Sequence, residues 1–227
     1  MEPLARRAEA ANVEAVTRGR FITFEGGEGA GKSTQVRRLA ERLAGLSVQA
    51  LTTREPGGSP GAEAVRALLV IGEADRWSAT AETLLLYAAR ADHLERAIRP
   101  ALADGAWVLC DRFADSTRAY QGAAGGANEE LIAALEDAVL GDTRPDLTLI
   151  LDLPAQAGLA RAESRGGAEA RFESKGVGFH ERLRDRFLAI ARAEPERCVL
   201  IDAAQTPDEV EAAIWAAVSV RLLSRVA

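Results

Sequence analysis

The sequence predicts an α/β fold in which helices cover both faces of a doubly wound, five-stranded parallel sheet. Five short apolar runs show little polar alternation, which is typical of strands buried on both faces. Helical patterns separate these runs, as the crossovers between parallel strands require. With 227 residues, 48% of them hydrophobic, the chain can bury one substantial core. We therefore expect a flexible N-terminal extension over residues 1–17 and a single domain over residues 18–227.

The elements can be placed along the chain from local signals. The predicted strands cover residues 21–24, 48–52, 107–110, 147–151 and 199–201. The helix after the first strand has apolar side chains at helical spacing, at Val36, Leu39, Ala40 and Leu43. Asn128 can cap a helix that stops at Gly141. Thr206 and Glu209 form a capping box, with Pro207 at the first helical position. Ligands of such a sheet are expected beyond the carboxyl ends of its strands.

A glycine-rich stretch, FEGGEGAGKST, includes the end of the first predicted strand. It meets the pattern G-x-x-x-x-G-K-S at Gly26, Gly31, Lys32 and Ser33, which defines a P-loop. The glycines let backbone N–H groups point at phosphate oxygens, while the lysine reaches the outer phosphates and the serine hydroxyl ligates Mg²⁺. A chance match is expected in roughly one random chain of this length in a hundred. The flanking strand and helix favour binding of a nucleoside triphosphate, and we expect Lys32 to be solvent-accessible in the empty loop.

The composition excludes several classes of function. A net charge of −6 argues against a general binder of nucleic acid or of anionic membranes, because such surfaces need excess basic residues. No stretch approaches a membrane span. The first fifteen residues lack an apolar signal region and contain three glutamates, so neither a secretion signal nor a transit peptide is expected. Cys110 and Cys198 have no metal or redox spacing and are predicted to be buried thiols. We expect a cytoplasmic protein.

Charged residues also follow the second and third predicted strands. Asp111 is predicted to orient the Mg²⁺ shell, as an acidic residue after an apolar strand does in P-loop enzymes, with a strand-end cap or surface ion pair as the alternative. Arg54 and Arg112 together could clamp a second phosphate, because guanidinium groups match phosphate oxygens. Either arginine alone would be interpreted as a solvated surface residue.

A further basic segment, RAESRGGAEARFESKG, covers residues 161–176 between predicted helices. Its paired glycines and low apolar content predict a small mobile lid, from which Arg161, Arg165 and Arg171 swing over a triphosphate. Three glutamates dilute this positive charge. A solvated helix end held by salt bridges is an equally supported interpretation.

These features and several longer motifs resemble the bacterial thymidylate kinases. The P-loop carries Glu28, and the longer motifs are TREPGG at 53–58, YAAR at 87–90, DRFADSTRAYQG at 111–122 and RPDLTLILD at 144–152. The resemblance runs from about Arg18 to the C-terminus. It implies a nucleoside-monophosphate-kinase fold, Mg²⁺ as cofactor, and transfer of phosphate from ATP to dTMP on the route to dTTP. It also implies a homodimer, with no nucleic-acid or membrane partner.

The resemblance further implies roles for individual residues. The implied catalytic residues are Lys32, Arg112, Arg165 and Arg171. The implied metal ligands are Ser33 and Asp111. The implied ATP site comprises Gly26, Gly27, Glu28, Gly29, Ala30, Gly31, Lys32, Ser33, Thr34 and Arg161. The implied dTMP site comprises Glu28, Arg54, Leu86, Arg90, Arg112, Thr117, Tyr120 and Gln121.

Within the implied dTMP site, the three arginines Arg54, Arg90 and Arg112 would bind the phosphate. Glu28 would lie near the 3′-hydroxyl, and Tyr120 under the sugar. Thr117 and Gln121 would face the thymine. The lid departs from the family at Ala170, where an aspartate is common.

The stretch before Arg90 also departs from the family, because Leu86 replaces a phenylalanine that usually stacks on thymine. Neighbours on a helix point about 100° apart, so Tyr87 takes over this stack only if the helix is rotated or distorted. Leu86 is therefore expected to cover the base by apolar contact. His93 and His180 are predicted at a helix surface or interface, and the tryptophans are predicted to pack, at Trp77, Trp107 and Trp215.

Two other functions remain open. A different nucleoside-monophosphate or deoxynucleoside kinase would share the P-loop, and only a few side chains would distinguish its base. A GTPase-like switch or regulatory ATPase would need guanine-reading or partner-responsive elements, which we do not find in the sequence.

Overall fold

The computed structural model of the protein describes residues 19–73, 76–165 and 175–223. The predicted N-terminal extension at residues 1–17 lies outside the described residues. So do residues 166–174, which make up most of the predicted lid.

A five-stranded sheet forms the centre of the described structure. Its strands are β1 (Phe21–Glu25), β2 (Ala50–Arg54), β3 (Trp107–Asp111), β4 (Leu147–Asp152) and β5 (Cys198–Asp202). They lie in the order β2-β3-β1-β4-β5, and every neighbouring pair is parallel. The predicted fold class is therefore confirmed. β2 and β3 lie on one side of β1 in the sheet, and β4 and β5 lie on the other. The strand order therefore reverses at β1, and sheets of this kind bind ligands beyond the carboxyl end of the strand at which the order reverses.

Four strands lie within one residue of their predicted bounds, and the second does not. It was expected at residues 48–52, but β2 covers Ala50–Arg54. Val48 instead donates its backbone N–H to the carbonyl of Leu43 at 3.0 Å, and its side chain is buried in the core. Val48 therefore belongs to the turn that follows the preceding helix and not to the strand. At the other end, Arg54 is the last residue of β2.

Helices pack on both faces of this sheet. They are α1 (Lys32–Ala44), α2 (Pro60–Val70), α3 (Ala79–His93), α4 (Arg99–Ala103), α5 (Ala114–Thr117), α6 (Glu129–Leu140), α7 (Ala155–Arg165), α8 (Val177–Ala193) and α9 (Pro207–Val218). Short π-helical segments extend three of them, and they are Leu94–Ile98 after α3, Arg118–Ala123 after α5 and Ser219–Leu223 after α9. Among the described residues, no helix has the length and apolar character that crossing a membrane requires.

Burial of both sheet faces explains why the strands lack polar alternation. Ile22 and Phe24 of β1 belong to a core that includes α1 and α9, whereas Phe21 belongs to a second core with α3 and α6. Thr23 is one of the polar exceptions, and it is fully buried and forms a hydrogen bond of 2.9 Å with the hydroxyl of Thr148 in β4. Each of these hydroxyls is satisfied by the other, so neither is left unpaired inside the sheet.

The predicted helix caps are confirmed. The side chain of Asn128 accepts a hydrogen bond of 3.0 Å from the backbone of Leu131, and α6 ends before Gly141. Thr206 and Glu209 form the expected capping box at the start of α9. Asn128 thus satisfies one of the N–H groups that α6 could not satisfy internally.

Two predictions about side-chain burial differ in outcome. Trp107 and Trp215 pack in or against the core, as predicted. The prediction that His93 and His180 lie at a surface or interface is wrong, because both are buried. The ring of His93 lies between two polar partners from the β2 end, and that of His180 meets Phe179 edge to face at 5.3 Å.

We predict that Asn128→Ala lowers the free energy of unfolding by about 1 kcal/mol, because the N–H of Leu131 loses its cap. Urea unfolding measures this change. Asn128→Asp is the control, since aspartate keeps the accepting oxygen and its charge suits a helix N-terminus. Equal stability of the wild type and Asn128→Ala would contradict a capping role.

Candidate active site

A cavity of about 350 Å³ lies beyond the ends of β1, β2 and β3. Its walls come from the P-loop, the segment after β2, α3, and the turn and π-helical segment after β3. The sequence-predicted residues that line it are Glu28, Gly29, Gly31, Lys32, Ser33, Arg54, Leu86, Arg90, Asp111, Arg112, Thr117, Tyr120 and Gln121. Residues far apart in sequence, which were assigned to two different ligands, therefore share one cavity.

Other predicted residues lie elsewhere. Those of the P-loop and α1 that are absent from the cavity wall are Gly26, Gly27, Ala30 and Thr34. Arg161, in α7, donates to the carbonyl of Ala203 at 3.0 Å. The side chain of Arg165 and the whole of Arg171 lie outside the described residues, so their roles stay predictions.

The P-loop backbone is arranged as an anion site requires. Gly29 has a φ of +68°, and a Cβ there would overlap the carbonyl of Gly158 in α7. Gly31 caps α1 at a φ of +87° without any side-chain hydrogen bond. Gly31 has no side chain that could cap the first N–H groups of α1. These groups and the positive end of the helix therefore suit phosphate oxygens.

Lys32 differs from the expectation. It is only 7% exposed, so the prediction of a solvent-accessible lysine is wrong. Its Nζ donates to the carbonyls of Gly26 at 3.2 Å and Gly27 at 2.7 Å, because the long side chain folds back over the loop. Burial, together with the positive charge of Arg112, lowers the pKa of Lys32 to about 8 against the opposing effect of nearby carboxylates.

Two oxygen-bearing side chains lie together in the cavity wall near Lys32. The hydroxyl of Ser33 donates to a carboxylate oxygen of Asp111, and both side chains line the cavity. Mg²⁺ prefers oxygen ligands and is usually held by one or two carboxylates plus phosphates and water. Within the described ranges, no group of three His, Cys, Asp or Glu side chains could hold a metal by itself. The Ser33 and Asp111 pair thus fits a Mg²⁺ ion that arrives with nucleotide phosphates.

Arg112 connects the P-loop to the turn after β3. Its φ is +69°, and its guanidinium donates to the carbonyl of Gly26 at 2.9 Å and to Glu28 Oε1 at 3.1 Å. The Tyr120 hydroxyl donates to the same Glu28 oxygen at 2.7 Å. Burial favours the neutral form of Glu28, but Arg112 and Lys32 outweigh it and lower the pKa of Glu28 to about 2. The site therefore holds an ionised carboxylate between cationic groups.

Sequence reasoning missed Glu25, the residue that holds this turn. Its carboxylate accepts hydrogen bonds from the backbone of Phe113 at 2.8 Å and from the backbone and hydroxyl of Ser116 at 3.2 and 2.6 Å. Ser116 in turn accepts from Arg112 at 3.2 Å. Burial and the neighbouring Asp115 raise the pKa of Glu25 to about 7, despite these hydrogen bonds. The only signal was an acidic residue at the end of an apolar strand.

A second buried acid, Glu55, was also missed. It accepts from Arg90 Nε at 2.7 Å, and its other oxygen lies 3.0 Å from His93 Nδ1. His93 Nε2 lies 2.8 Å from the hydroxyl of Thr53. Gly58 has a φ of +86°, and a Cβ at this position would overlap both His93 and Thr53. Only glycine therefore allows the backbone to lie this close to the hydrogen-bonded side chains.

Arg90 itself is 2% exposed and lies beside the other wall of the cavity. Its Nη2 donates to the carbonyl of Phe113 at 3.1 Å and to Thr117 Oγ1 at 3.0 Å. Its Nη1 is buried and makes no hydrogen bond to the described part of the chain. A buried guanidinium nitrogen of this kind is a candidate donor to a ligand that enters the cavity.

The side of α3 that faces the cavity is the predicted one. Leu86 lines the cavity, whereas Tyr87 is 1% exposed and packs in the core that contains Phe21. The guanidinium carbon of Arg90 lies 4.6 Å from the centre of the Tyr87 ring. Tyr87 thus packs behind Arg90, and Leu86 offers the apolar surface.

The outer part of the cavity carries further cations. Arg54 is exposed and lies 3.4 Å from Glu63. Arg66 of α2, which sequence reasoning missed, also lines the cavity and donates to the carbonyl of Pro56 at 2.5 Å. The other lining residues that were missed are Glu55, Pro56, Val70, Phe113 and Ser116.

Comparison with known proteins identifies the family. A family model described as thymidylate kinase matches residues 24–214. The chain belongs to the thymidylate kinase family. It is 69% identical to the thymidylate kinase of Caulobacter vibrioides over 91% of this chain and 99% of that protein. It is 59% identical to the thymidylate kinase of Rhodopseudomonas palustris strain CGA009 over 91% of each chain.

A solved structure of another thymidylate kinase family member supports the same conclusion. The crystal structure of thymidylate kinase from Ehrlichia chaffeensis matches with a TM-score of 0.72 and 33% identity, over 88% of this chain and 98% of that one. The overall fold is thus similar to that of a solved thymidylate kinase.

We predict that Glu25→Gln changes how stability depends on pH. A carboxyl whose pKa is raised in the folded state binds more protons there than in the unfolded chain, so its contribution to the free energy of unfolding falls as pH rises from about 4.5 to about 7. Glutamine does not titrate. The stability of Glu25→Gln relative to the wild type should therefore increase between pH 5 and pH 8, by on the order of 2 kcal/mol.

Urea unfolding at a series of pH values measures this difference. Glutamine makes some of these hydrogen bonds less well than glutamate, which changes the free energy of unfolding by the same amount at every pH. Only the change of the difference with pH therefore reports the titration of Glu25. A flat difference would mean that Glu25 titrates near its ordinary pKa.

Proposed function

We propose that the protein transfers the γ-phosphoryl group of ATP to dTMP, giving ADP and dTDP on the route to dTTP. This function is supported by one cavity that is lined by the P-loop, by the arginines Arg54 and Arg112, and by a wall that carries Leu86 and the amide of Gln121. The P-loop suits the phosphates of ATP, the cations suit a second phosphate, and the far wall suits a base. Family membership supports the same assignment.

The donor nucleotide is proposed to bind through the P-loop backbone and the start of α1. Lys32 would move from the carbonyls of Gly26 and Gly27 to the outer phosphates, whose negative charge favours the ammonium form. Ser33 and Asp111 would hold Mg²⁺. When bound, the ion neutralises charge on the phosphate oxygens and helps to align them.

The acceptor phosphate is proposed to lie against Arg54 and Arg112. Arg112 already bridges the P-loop and the turn after β3, so a phosphate bound to it lies next to the donor site. The acceptor oxygen can then attack the γ-phosphorus in line. The protein supplies alignment and charge neutralisation, and no side chain has to act as a nucleophile.

The base and sugar are proposed to occupy the inner part of the cavity. Leu86 would cover the thymine face, with Thr117 and Gln121 at its edge. Glu28 and Tyr120 would lie against the sugar. Arg90 was expected at the phosphate, but its bond to Thr117 supports a place beside the base, where the buried Nη1 could donate to a carbonyl oxygen of thymine.

Roles for Arg161, Arg165 and Arg171 in closing over ATP and stabilising the transition state rest on the sequence of residues 161–176 and on the family resemblance. Replacement of Arg165 or Arg171 by alanine, with kcat and KM measured separately, tests these roles. An unchanged kcat in both would contradict them.

The protein is further proposed to be a cytoplasmic homodimer. Three large apolar side chains are exposed in this part of the sequence: Leu68 on α2, Ile71 just after α2, and Leu84 on α3. A second copy of the chain could cover them. Cys110 and Cys198 are buried free thiols, in keeping with a reducing compartment. Sedimentation that finds only monomer, or fractionation that places the protein outside the cytoplasm, would contradict this proposal.

A panel of nucleoside monophosphates tests the proposed reaction. Release of ADP from ATP is measured with dTMP, dUMP, dGMP and UMP as acceptors. The proposal requires the highest kcat/KM with dTMP. A preference for dGMP or UMP would indicate a different monophosphate kinase, and rapid turnover without any acceptor would indicate an ATPase.

We predict that Arg112→Ala raises KM for dTMP by about 10- to 100-fold and KM for ATP much less, because a hydrogen bond to a charged group is worth about 1.5–3 kcal/mol. Steady-state kinetics with each substrate varied in turn measures both constants. Arg112→Lys is the control, since lysine keeps the charge but loses the fork. A rise in KM for ATP alone would contradict the acceptor-phosphate assignment.

We also predict that Leu86→Phe tightens dTMP binding several-fold. A base stacked on an aromatic ring gains about 1–3 kcal/mol, of which leucine provides only part by apolar contact. Calorimetric titration of dTMP measures the change. Tyr87→Phe is the control and should change little, because the Tyr87 hydroxyl is buried without a hydrogen bond among the described residues. No gain with Leu86→Phe would place the thymine elsewhere.

A further inference from the structure

Gln121, at the edge of the cavity, is held from behind by a buried acid on α3. Its Nε2 donates to Glu82 Oε1 at 2.7 Å. Gln121 is 3% exposed and lines the cavity, whereas Glu82 is 5% exposed and does not line it. Glu82 therefore lies behind Gln121, whose amide connects it to the cavity wall.

This contact decides which end of the Gln121 amide faces Glu82. The two ends of an amide have nearly the same shape, but one donates hydrogen bonds and the other accepts them. A carboxylate only accepts, so the Nε2 of Gln121 must face Glu82. The accepting Oε1 then becomes the end of the amide that Gln121 can offer to the cavity.

The position of Glu82 on α3 strengthens this interpretation of the contact. Glu82, Leu86 and Arg90 are spaced by four residues, which places them along one side of the helix. Leu86 and Arg90 both line the cavity. The same side of α3 therefore supplies the apolar surface, a guanidinium donor and the group that orients the amide acceptor.

We propose that Glu82 is a specificity-determining positioning residue, which holds Gln121 so that its Oε1 accepts from the ring N–H of a thymine or uracil base. The inference rests on the proposed function, because it requires a pyrimidine monophosphate in this cavity. Thymine and uracil carry a hydrogen on N3, which donates to Oε1. The N3 of cytosine has a lone pair instead, so two acceptors would face each other and neither would be satisfied.

Arg90 adds to the same discrimination from the other direction. Its buried Nη1 needs an acceptor, which the O4 of thymine provides. Cytosine carries an amino group at that position, which would face a second donor. A base with a carbonyl next to a ring N–H satisfies both Arg90 and the oriented Gln121, whereas cytosine satisfies neither.

The test is the binding of dTMP, dUMP and dCMP to the wild type and to Glu82→Gln, measured by calorimetric titration. The introduced glutamine fills the same space but can either accept from or donate to Gln121, so the amide of Gln121 is free to settle in both directions. The ratio of Kd for dCMP to Kd for dTMP should fall by about tenfold or more. The ratio for dUMP to dTMP should stay the same, because uracil and thymine share the N3 hydrogen.

Thr83→Val is the matched control on the same helix. Thr83 is fully buried and donates to the carbonyl of Ala79 at 2.8 Å, so its loss perturbs α3 without touching Gln121. This variant should leave both ratios unchanged. A purely structural role for Glu82 would weaken all three ligands together, and an unchanged dCMP to dTMP ratio in folded Glu82→Gln overturns the inference.

A second variant keeps the inference testable if Glu82→Gln does not fold. Gln121→Met removes the amide that Glu82 orients, and the same ratio should fall while the dUMP to dTMP ratio holds. An unchanged dCMP to dTMP ratio in this variant also overturns the inference. Failure of the proposed function would look different, because the wild type itself would then show no preference for dTMP in the acceptor panel.

Discussion

The carboxylate of Glu25 ties the end of β1 to the turn after β3, and the geometry of the cavity depends on this tie. Three hydrogen bonds from Phe113 and Ser116 converge on it. They hold a turn in which Arg112 adopts a left-handed backbone conformation that costs a non-glycine residue roughly 1–2 kcal/mol. Each hydrogen bond is worth about 1 kcal/mol, so together they offset that cost. As a result, Arg112 reaches back to the P-loop carbonyl of Gly26.

The electrostatics of the cavity follow from pairing each buried cation with an internal acceptor. Arg90 is paired with Glu55, Arg112 with Glu28, and Lys32 with two loop carbonyls. Unpaired charges in such a site would be costly to bury. This pairing explains how a chain with a net charge of −6 can present a local site for polyanions. Because these cations are already buried, a phosphate can compete for them without any further cost of removing the cations from water.

The base-facing wall shows a similar division between contact and support. Leu86 and Arg90 line the cavity. Glu82 lies behind the wall and holds Gln121, whereas the buried Glu55 is itself part of the wall and holds Arg90. Because these groups are buried, their hydrogen-bonding directions are set before a ligand arrives. Preorganised donors and acceptors discriminate between bases more strongly than groups that can rotate to suit either one. Under the proposed function, Glu82 contributes to recognition of the base through Gln121.

What the sequence determined by itself is the local part of this structure. Strand runs buried on both faces, the P-loop glycines and the cap at Asn128 are encoded within a few residues, so periodicity and turn chemistry were enough to predict them. The tertiary structure alone decided the partners of Glu25, the burial of Lys32 and the environment of His93. The partners of Glu25 and His93 lie in segments tens of residues away, and an acid or a histidine has the same local pattern whether it is solvated or buried. Lys32 folds back on carbonyls only five and six residues away, but its side-chain conformation is not visible in the local pattern either. Only the folded chain brings its partner within hydrogen-bond distance.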